Sequence, residues 1–246
     1  MNRLRSIAFT ALIALTAVIM TVIFLPALFM GENAARWTIR LWSRFSLGAM
    51  KALTGVDYKV EGRENIPAGS ALVVSNHQSL WETIAFQLLL PRAFIVLKKE
   101  LLRVPIYGIW VKAAGNIVID RSGGARALRE MREKAAARIA EGAQVVIFPE
   151  GTRLKAGETG PYQPGVAGVY AAAGAPCHPV AHDSGRFWRK LGGALTPGTI
   201  TIRFLPPISA GVDRKAFQKT IQAAIEAGRP DLDNQNSAPV LETADG

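Results

Sequence analysis

Hydrophobic and polar positions divide the chain into distinct regimes. Residues 6–31 carry no charge and are mostly apolar. At about 1.5 Å per residue that run is long enough to cross a hydrocarbon core of roughly 30 Å as a helix. Bulky residues around Pro26 argue against signal-peptide cleavage, and Pro26 itself predicts a kink. A half-inserted helix is therefore the alternative to a full span. Residues 33–53 change character: Trp37, Leu41, Phe45 and Leu47 run beside Arg36, Arg40, Arg44 and Lys51. An apolar-aromatic stripe next to a basic one predicts a helix lying against lipid headgroups. The alternative is a helix packed on the domain with its arginines solvated.

From residue 55 onward, short apolar runs alternate with longer amphipathic ones. Strands are predicted at 56–60, an edge strand, and at 71–74, 93–97, 115–121, 145–148, 176–181 and 199–205. Helices are predicted at 79–90, stopped by Pro91, at 126–140 with Leu128, Met131, Ala135 and Ile139 inward, and at 166–173 and 213–227. Residues 155–165, rich in Gly and Pro, form a loop placed to act as a lid. Residues 104–110 suit core packing or the lining of a groove. Arg186, Phe187, Trp188, Arg189 and Lys190 suit a membrane surface or a loop packed on the core. The order predicts an α/β fold, a mixed sheet flanked by helices, preceded by an N-terminal membrane-anchoring helical segment. The divisions are an anchor over 1–54, a folded domain over 55–228 and a polar tail, expected to be disordered, over 229–246.

The formal net charge is +10. The last eighteen residues hold one basic and four acidic side chains, so the rest of the chain carries +13. Such a body suits an anionic partner. The apolar N-terminal run points to membrane phospholipid; no nucleic-acid reader motif occurs, and no nucleic acid is expected. More positive charge follows the apolar run than precedes it, which places the domain on the cytoplasmic side of a bacterial-type inner membrane. A single cysteine, Cys177, excludes an internal disulfide. His178 and His182 lie four apart in a predicted strand, about 13 Å along one face, so they read as structural or pocket-lining rather than as metal ligands. Neither a metal nor a cofactor is expected.

Candidate chemistry begins at Ser75-Asn76-His77-Gln78-Ser79-Leu80-Trp81-Glu82, where a strand runs into a helix at the rim of the sheet. Five residues along a helix turn about 500°, leaving two side chains roughly 140° apart. His77 and Glu82 therefore meet only if His77 lies in the turn and Glu82 in the first helical turn. Each residue also has a plainer reading. Glu82 could close a capping box with Ser79 as N-cap, and His77 could be a hydrogen-bonded turn histidine. The second stretch is Phe148-Pro149-Glu150-Gly151-Thr152-Arg153, again a strand entering a polar turn. Gly151 permits close backbone approach, Thr152 offers a hydroxyl, and Arg153 offers a planar fork for phosphate.

Together the two stretches resemble N-H-x4-D and F-P-E-G-T-R, the hallmarks of the glycerolipid acyltransferase family, over about residues 60–207. The family's usual aspartate is Glu82 here. Residues 115–121 resemble its third block and residues 176–181 its fourth. The resemblance implies acyl transfer from a thioester, acyl-CoA or acyl-carrier protein, to the hydroxyl of lysophosphatidic acid. His77 would be the general base and Glu82 its orienting carboxylate. Glu150, Gly151, Thr152 and Arg153, with Lys98 and Arg121, would bind substrate. The substrate hydroxyl is the nucleophile, in keeping with the lack of a G-x-S-x-G elbow. Another lysolipid acceptor, such as a lyso-ornithine lipid, and a non-catalytic anionic-lipid-binding module remain as alternatives.

Overall fold

A computed structural model describes residues 2–232. Its centre is a seven-stranded sheet in the order β1-β7-β6-β2-β5-β3-β4. The strands are β1 Val56–Glu61, β2 Ala71–Ser75, β3 Ala93–Lys98, β4 Ile117–Ile119, β5 Gln144–Ile147, β6 Cys177–His182 and β7 Gly198–Phe204. β2 pairs in parallel with β5 and β6, and β3 in parallel with β5 and β4. β7 runs antiparallel to β6 and parallel to β1, so the sheet is mixed. β2 and β5 are buried along their whole length. That is why they read as unbroken apolar runs, whereas the edge strand β1 alternates.

Side chains alternate across the sheet, so β2 supplies both cores. Leu72 and Val74 face one layer of helices, α5 (Gly124–Ala140), α6 (Gly165–Ala173) and α7 (Arg214–Gly228). Val73 faces the other, α1 (Asn2–Ile23), α2 (Glu32–Thr54) and α3 (Trp81–Leu89). A short α4 (Tyr107–Ala113) leads into β4. Within the first layer Tyr170 and Phe217 stack at 3.8 Å. The α5 face differs by one position from expectation. Ala127, Met131, Ala135 and Ile139 form the buried i, i+4 row, and Leu128 is 43% exposed. Leu128 lies one helical step round, over Gly165 at the start of α6.

The N-terminal helices pack on the domain at several points. Ser6 accepts a hydrogen bond from the Leu195 N–H at 2.9 Å. Phe9 meets Trp188 edge-on at 5.5 Å, and Trp110 donates to the Thr21 hydroxyl at 2.8 Å. Trp188 is thus a core residue holding α1, not a membrane-surface residue. α1 ends at Ile23, and Pro26 sits in a 3₁₀ turn, Leu25–Leu28, that leads to α2. Among the described residues, the segment Arg3–Ile23 alone is long and apolar enough to cross a membrane.

Half of the basic stripe of α2, Arg36 and Arg40, turns inward, correcting for those two residues the expectation that the stripe faces headgroups. Arg36 lies over the Phe94 ring at 4.6 Å. Arg40 donates to the carbonyls of Gln87 and Leu90 at 2.6 and 2.8 Å. Those carbonyls end α3, where the helix dipole attracts a cation. Lys51 pairs with Asp57 at 2.6 Å, while Arg44 stays exposed. Trp37, Leu41 and Phe45 are the residues left open to the surroundings.

The start of the expected tail is ordered. Arg229 and Leu232 are buried, packed beside the rim where β2 ends; residues 233–246 lie outside the described residues.

Arg40→Ala removes two charge-assisted hydrogen bonds between α2 and α3. It should lower unfolding stability by about 1–3 kcal/mol in detergent. Unchanged denaturation would show that these bonds do not fix α2.

Candidate active site

The sheet itself brings the two motifs together. Val74 of β2 is in register with Ile147 of β5. The chain beyond each strand therefore leaves the same edge side by side, carrying His77 on one turn and Glu150 on the other. On that edge β2 lies between strands that connect to either side, the switch point where α/β sheets open a crevice. Lys98 at the end of β3 is in register with Ile119 of β4, which brings Lys98 and Arg121 to the same rim.

Glu82 organises the first turn. Its Oε1 accepts from His77 Nδ1 at 2.7 Å and from the N–H groups of Gln78 and Ser79, both at 2.8 Å. Its Oε2 accepts from the hydroxyls of Ser79 at 2.6 Å and Ser184 at 2.9 Å. Glu82 reaches back to the Ser79 N–H as a capping box would, but the N-cap is Leu80 rather than the expected Ser79, so only that half of the box forms, and the histidine contact is made by the same carboxylate. Ser79 also accepts from the Trp81 N–H at 3.0 Å, and the helix starts at Trp81. Complete burial of Glu82 acts to raise its pKa; the imidazoles of His182 and His77 and the Ser79 hydroxyl act to lower it. Burial also holds His182 below its ordinary value. We therefore assign the net effect, a carboxylate held below its usual range, to the five donors.

Since Glu82 takes the Nδ1 proton, His77 presents Nε2 with its lone pair outward. Nε2 has no hydrogen-bond partner among the described residues, and the side chain is 16% exposed. Phe148 stacks on the ring at 4.2 Å. His182 plays a different part. It is fully buried, its Nε2 donates to the Asn76 carbonyl at 2.8 Å, and its Nδ1 accepts from the Ser184 N–H. The Asn76 amide pairs in turn with the backbone of His182. This locks the ends of β2 and β6 together. His178 is half-buried and bonds the Asn65 carbonyl, away from the site.

The second turn divides its residues between two tasks. Glu150 points back at the first turn, where its Oε2 accepts from the His77 N–H at 2.7 Å. Burial raises its pKa to about 7, against the pull of that hydrogen bond and of Arg229. Gly151 has φ +69°, and a Cβ there would come within 3.1 Å of Arg121 Nη2. The positive φ is what calls for glycine at this turn, and Arg121 packs closely over it. Thr152 and Arg153 are exposed beside it. Arg153 lies near Tyr107, whose phenol burial pushes up to about 12 while Arg153 pulls it down. Lys99 is held by Asp120 at 2.8 Å. Lys98, Arg121 and Arg153 make no ion pair among the described residues.

The loop expected as a lid is tied down along its length. Leu154 N–H donates to the His77 carbonyl at 2.9 Å, Gly157 N–H to Asp231 at 2.7 Å, and Gln163 N–H to the Pro149 carbonyl at 2.8 Å. The sequence gives no sign of Ser184 and Asp231, which support the turn from two separate segments, through Glu82 and through Gln78. No local pattern marks them; only strand order brings them near His77.

The mixed α/β sheet thus carries at one rim a histidine oriented by a carboxylate, with three cations, Lys98, Arg121 and Arg153, that are unpaired among the described residues. A family model described as Acyltransferase matches residues 57–183. The 1-acyl-sn-glycerol-3-phosphate acyltransferase of Pseudomonas aeruginosa is 37% identical over 175 residues, 71% of this chain and 68% of that one. The 1-acyl-sn-glycerol-3-phosphate acyltransferase alpha of Homo sapiens is 33% identical over 168 residues, 67% of this chain and 59% of that one. The crystal structure of the 1-acyl-sn-glycerophosphate (LPA) acyltransferase from Thermotoga maritima superposes with a TM-score of 0.76 at 21% identity, over 97% of this chain and 99% of that one, a likeness of fold. The chain belongs to the acyltransferase family.

Glu150 gives a test with a definite sign. Its folded pKa is raised, so the stability linked to its protonation is fully present below the ordinary carboxylate value and is lost as pH rises through about 7. Glu150→Gln keeps an acceptor for His77 N–H and cannot ionise. Its stability relative to wild type should rise between pH 5 and pH 8, by up to about 3 kcal/mol. Parallel denaturation curves at the two pH values check this; a pH-independent difference would contradict it.

Proposed function

We propose that the chain transfers a fatty acyl group from a thioester to the sn-2 hydroxyl of 1-acylglycerol-3-phosphate, forming phosphatidic acid. The observation that carries this reading is the His77 imidazole, bound at Nδ1 by Glu82 and open at Nε2, on the rim that holds Lys98, Arg121 and Arg153. The names of the relatives from Pseudomonas aeruginosa and Homo sapiens support the acceptor.

The acceptor phosphate would rest on Arg121, Arg153 and Lys98, with the Thr152 hydroxyl and the turn at Gly151 beside it. His77 Nε2 takes the proton of the sn-2 hydroxyl as its oxygen attacks the thioester carbonyl. Glu82 holds the Nδ1–H and stabilises the imidazolium that forms. When the tetrahedral intermediate collapses, the C–S bond breaks and the leaving thiolate takes the proton from Nε2. No enzyme acyl intermediate is needed. The donor is an acyl thioester of coenzyme A or of an acyl-carrier protein.

We place the enzyme on a membrane by its N-terminal segment, with the catalytic domain on the cytoplasmic side. The contacts from Ser6, Phe9 and Thr21 to the domain favour α1 lying along it, half inserted, over α1 projecting as a free span. Leu15, Val18, Ile19, Val22, Trp37 and Phe45 remain open for lipid.

Purified protein in detergent, given acyl thioester and lysophosphatidic acid beside phosphate-free lysolipids, tests the reading. His77→Ala should lower kcat by roughly 10²–10⁴ while the fold is kept; near-normal turnover would end its assignment as base. Arg153→Ala should raise KM for lysophosphatidic acid about 10- to 100-fold and leave the donor KM unchanged. An effect confined to the donor would remove Arg153 from the phosphate site. Transfer only to phosphate-free lysolipids would replace the acceptor.

A further inference from the structure

Two buried charges beside the site take no part in the transfer just described. Arg229 and Asp231, just beyond α7, have side chains 2% and 1% exposed. Arg229 Nε donates to Asp231 Oδ1 at 3.0 Å and Nη2 to Oδ2 at 2.6 Å, a two-pronged pair. Nη1 donates to the Glu158 carbonyl at 2.6 Å. Asp231 Oδ2 also accepts from Gln78 Nε2 at 2.8 Å and from the Gly157 N–H at 2.7 Å. Gln78 adjoins His77, and its side-chain Oε1 accepts from the Gly185 N–H at 3.0 Å. Gly157 lies in the loop that follows Arg153.

A buried ion pair contributes little net stability, because removing two charges from water offsets most of their attraction. Stability alone is thus a poor reason for this one. Its geometry gives a better reason: one carboxylate oxygen joins the His77 turn, through Gln78, and the loop after Arg153, through Gly157, to the segment beyond α7, and adds to the Leu154 N–H bond to the His77 carbonyl a second tie between turn and loop. We propose that Asp231, held by Arg229, is a positioning residue for acyl transfer. It fixes the His77 turn and the loop after Arg153 in one relative placement, so that the hydroxyl of a phosphate-anchored acceptor falls at Nε2. The inference rests on the proposed acyl transfer for its effect on rate, but not for its effect on the loop.

The test separates positioning from bulk stability. Asp231→Asn and Arg229→Met each leave a buried group uncompensated and should lower stability. The double variant Arg229→Met/Asp231→Leu removes both charges and should recover most of what either single change loses. If Asp231 positions the site, kcat in the double variant stays roughly 10- to 100-fold below wild type, because misplacement persists. Amide exchange at Gly157 should be faster in the double variant, where a leucine at position 231 offers no acceptor, and Asp231→Leu alone should show the same. Recovery of kcat together with stability in the double variant, or unchanged exchange at Gly157, would overturn the proposal. If wild type itself transfers nothing to lysophosphatidic acid, the proposed function fails and the exchange measurement alone decides the role of Asp231.

Discussion

The site depends on keeping one carboxylate charged where no water reaches it. Glu82 is wholly buried and would favour its neutral form there without partners. Two backbone N–H groups, two serine hydroxyls and one imidazole N–H surround its two oxygens instead. The same contacts shape the turn, start α3 and choose the histidine tautomer. The turn that leads into α3 and the tautomer of the proposed general base are therefore set by a single electrostatic arrangement. The family's usual aspartate is here a glutamate. Placed in the first turn of α3, it has the length to reach back to both the turn amides and the ring.

Around that centre, charges and apolar groups are sorted by what they face. Arginines of α2 that have carbonyls or an aromatic ring within reach are used internally, as with Arg36 and Arg40. Those of the rim that face open space, Arg121 and Arg153, are left without carboxylates. The result is a rim at the ends of β3, β4 and β5 where a few basic side chains stand without acidic partners among the described residues.

Much of this was legible in the sequence. All seven strands and the main helices lie close to where the apolar runs predicted them, because parallel strands buried on both faces leave continuous patterns. His77 and Glu82 could be paired from helix geometry, since the contact is local. Arg36 and Arg40 were read as facing lipid because a stripe on a helical wheel does not say what packs against it. Leu128 was placed inward by an apolar pattern that fits two adjacent rows equally well. Arg229 and Asp231 were assigned to a polar tail, since charge suggests solvent until a partner is known. Glu150 was grouped with the substrate residues by its motif, while its carboxylate serves the backbone of His77. These differences share one cause: they concern contacts between segments far apart in sequence, which no local window contains.

The position of β2 in the sheet has a consequence for the order in which the protein is made. β2 is synthesised before both of its neighbours, since β5 and β6 come much later in the chain. Until they emerge, its five residues have no partner on either edge, and contacts so distant in sequence form slowly. The strand most in need of cover is thus completed among the last, while the apolar α1 has long since left the ribosome. Delivery of the N-terminus to a membrane, ahead of closure of the sheet, would separate the two most aggregation-prone parts of the nascent chain in space as well as in time.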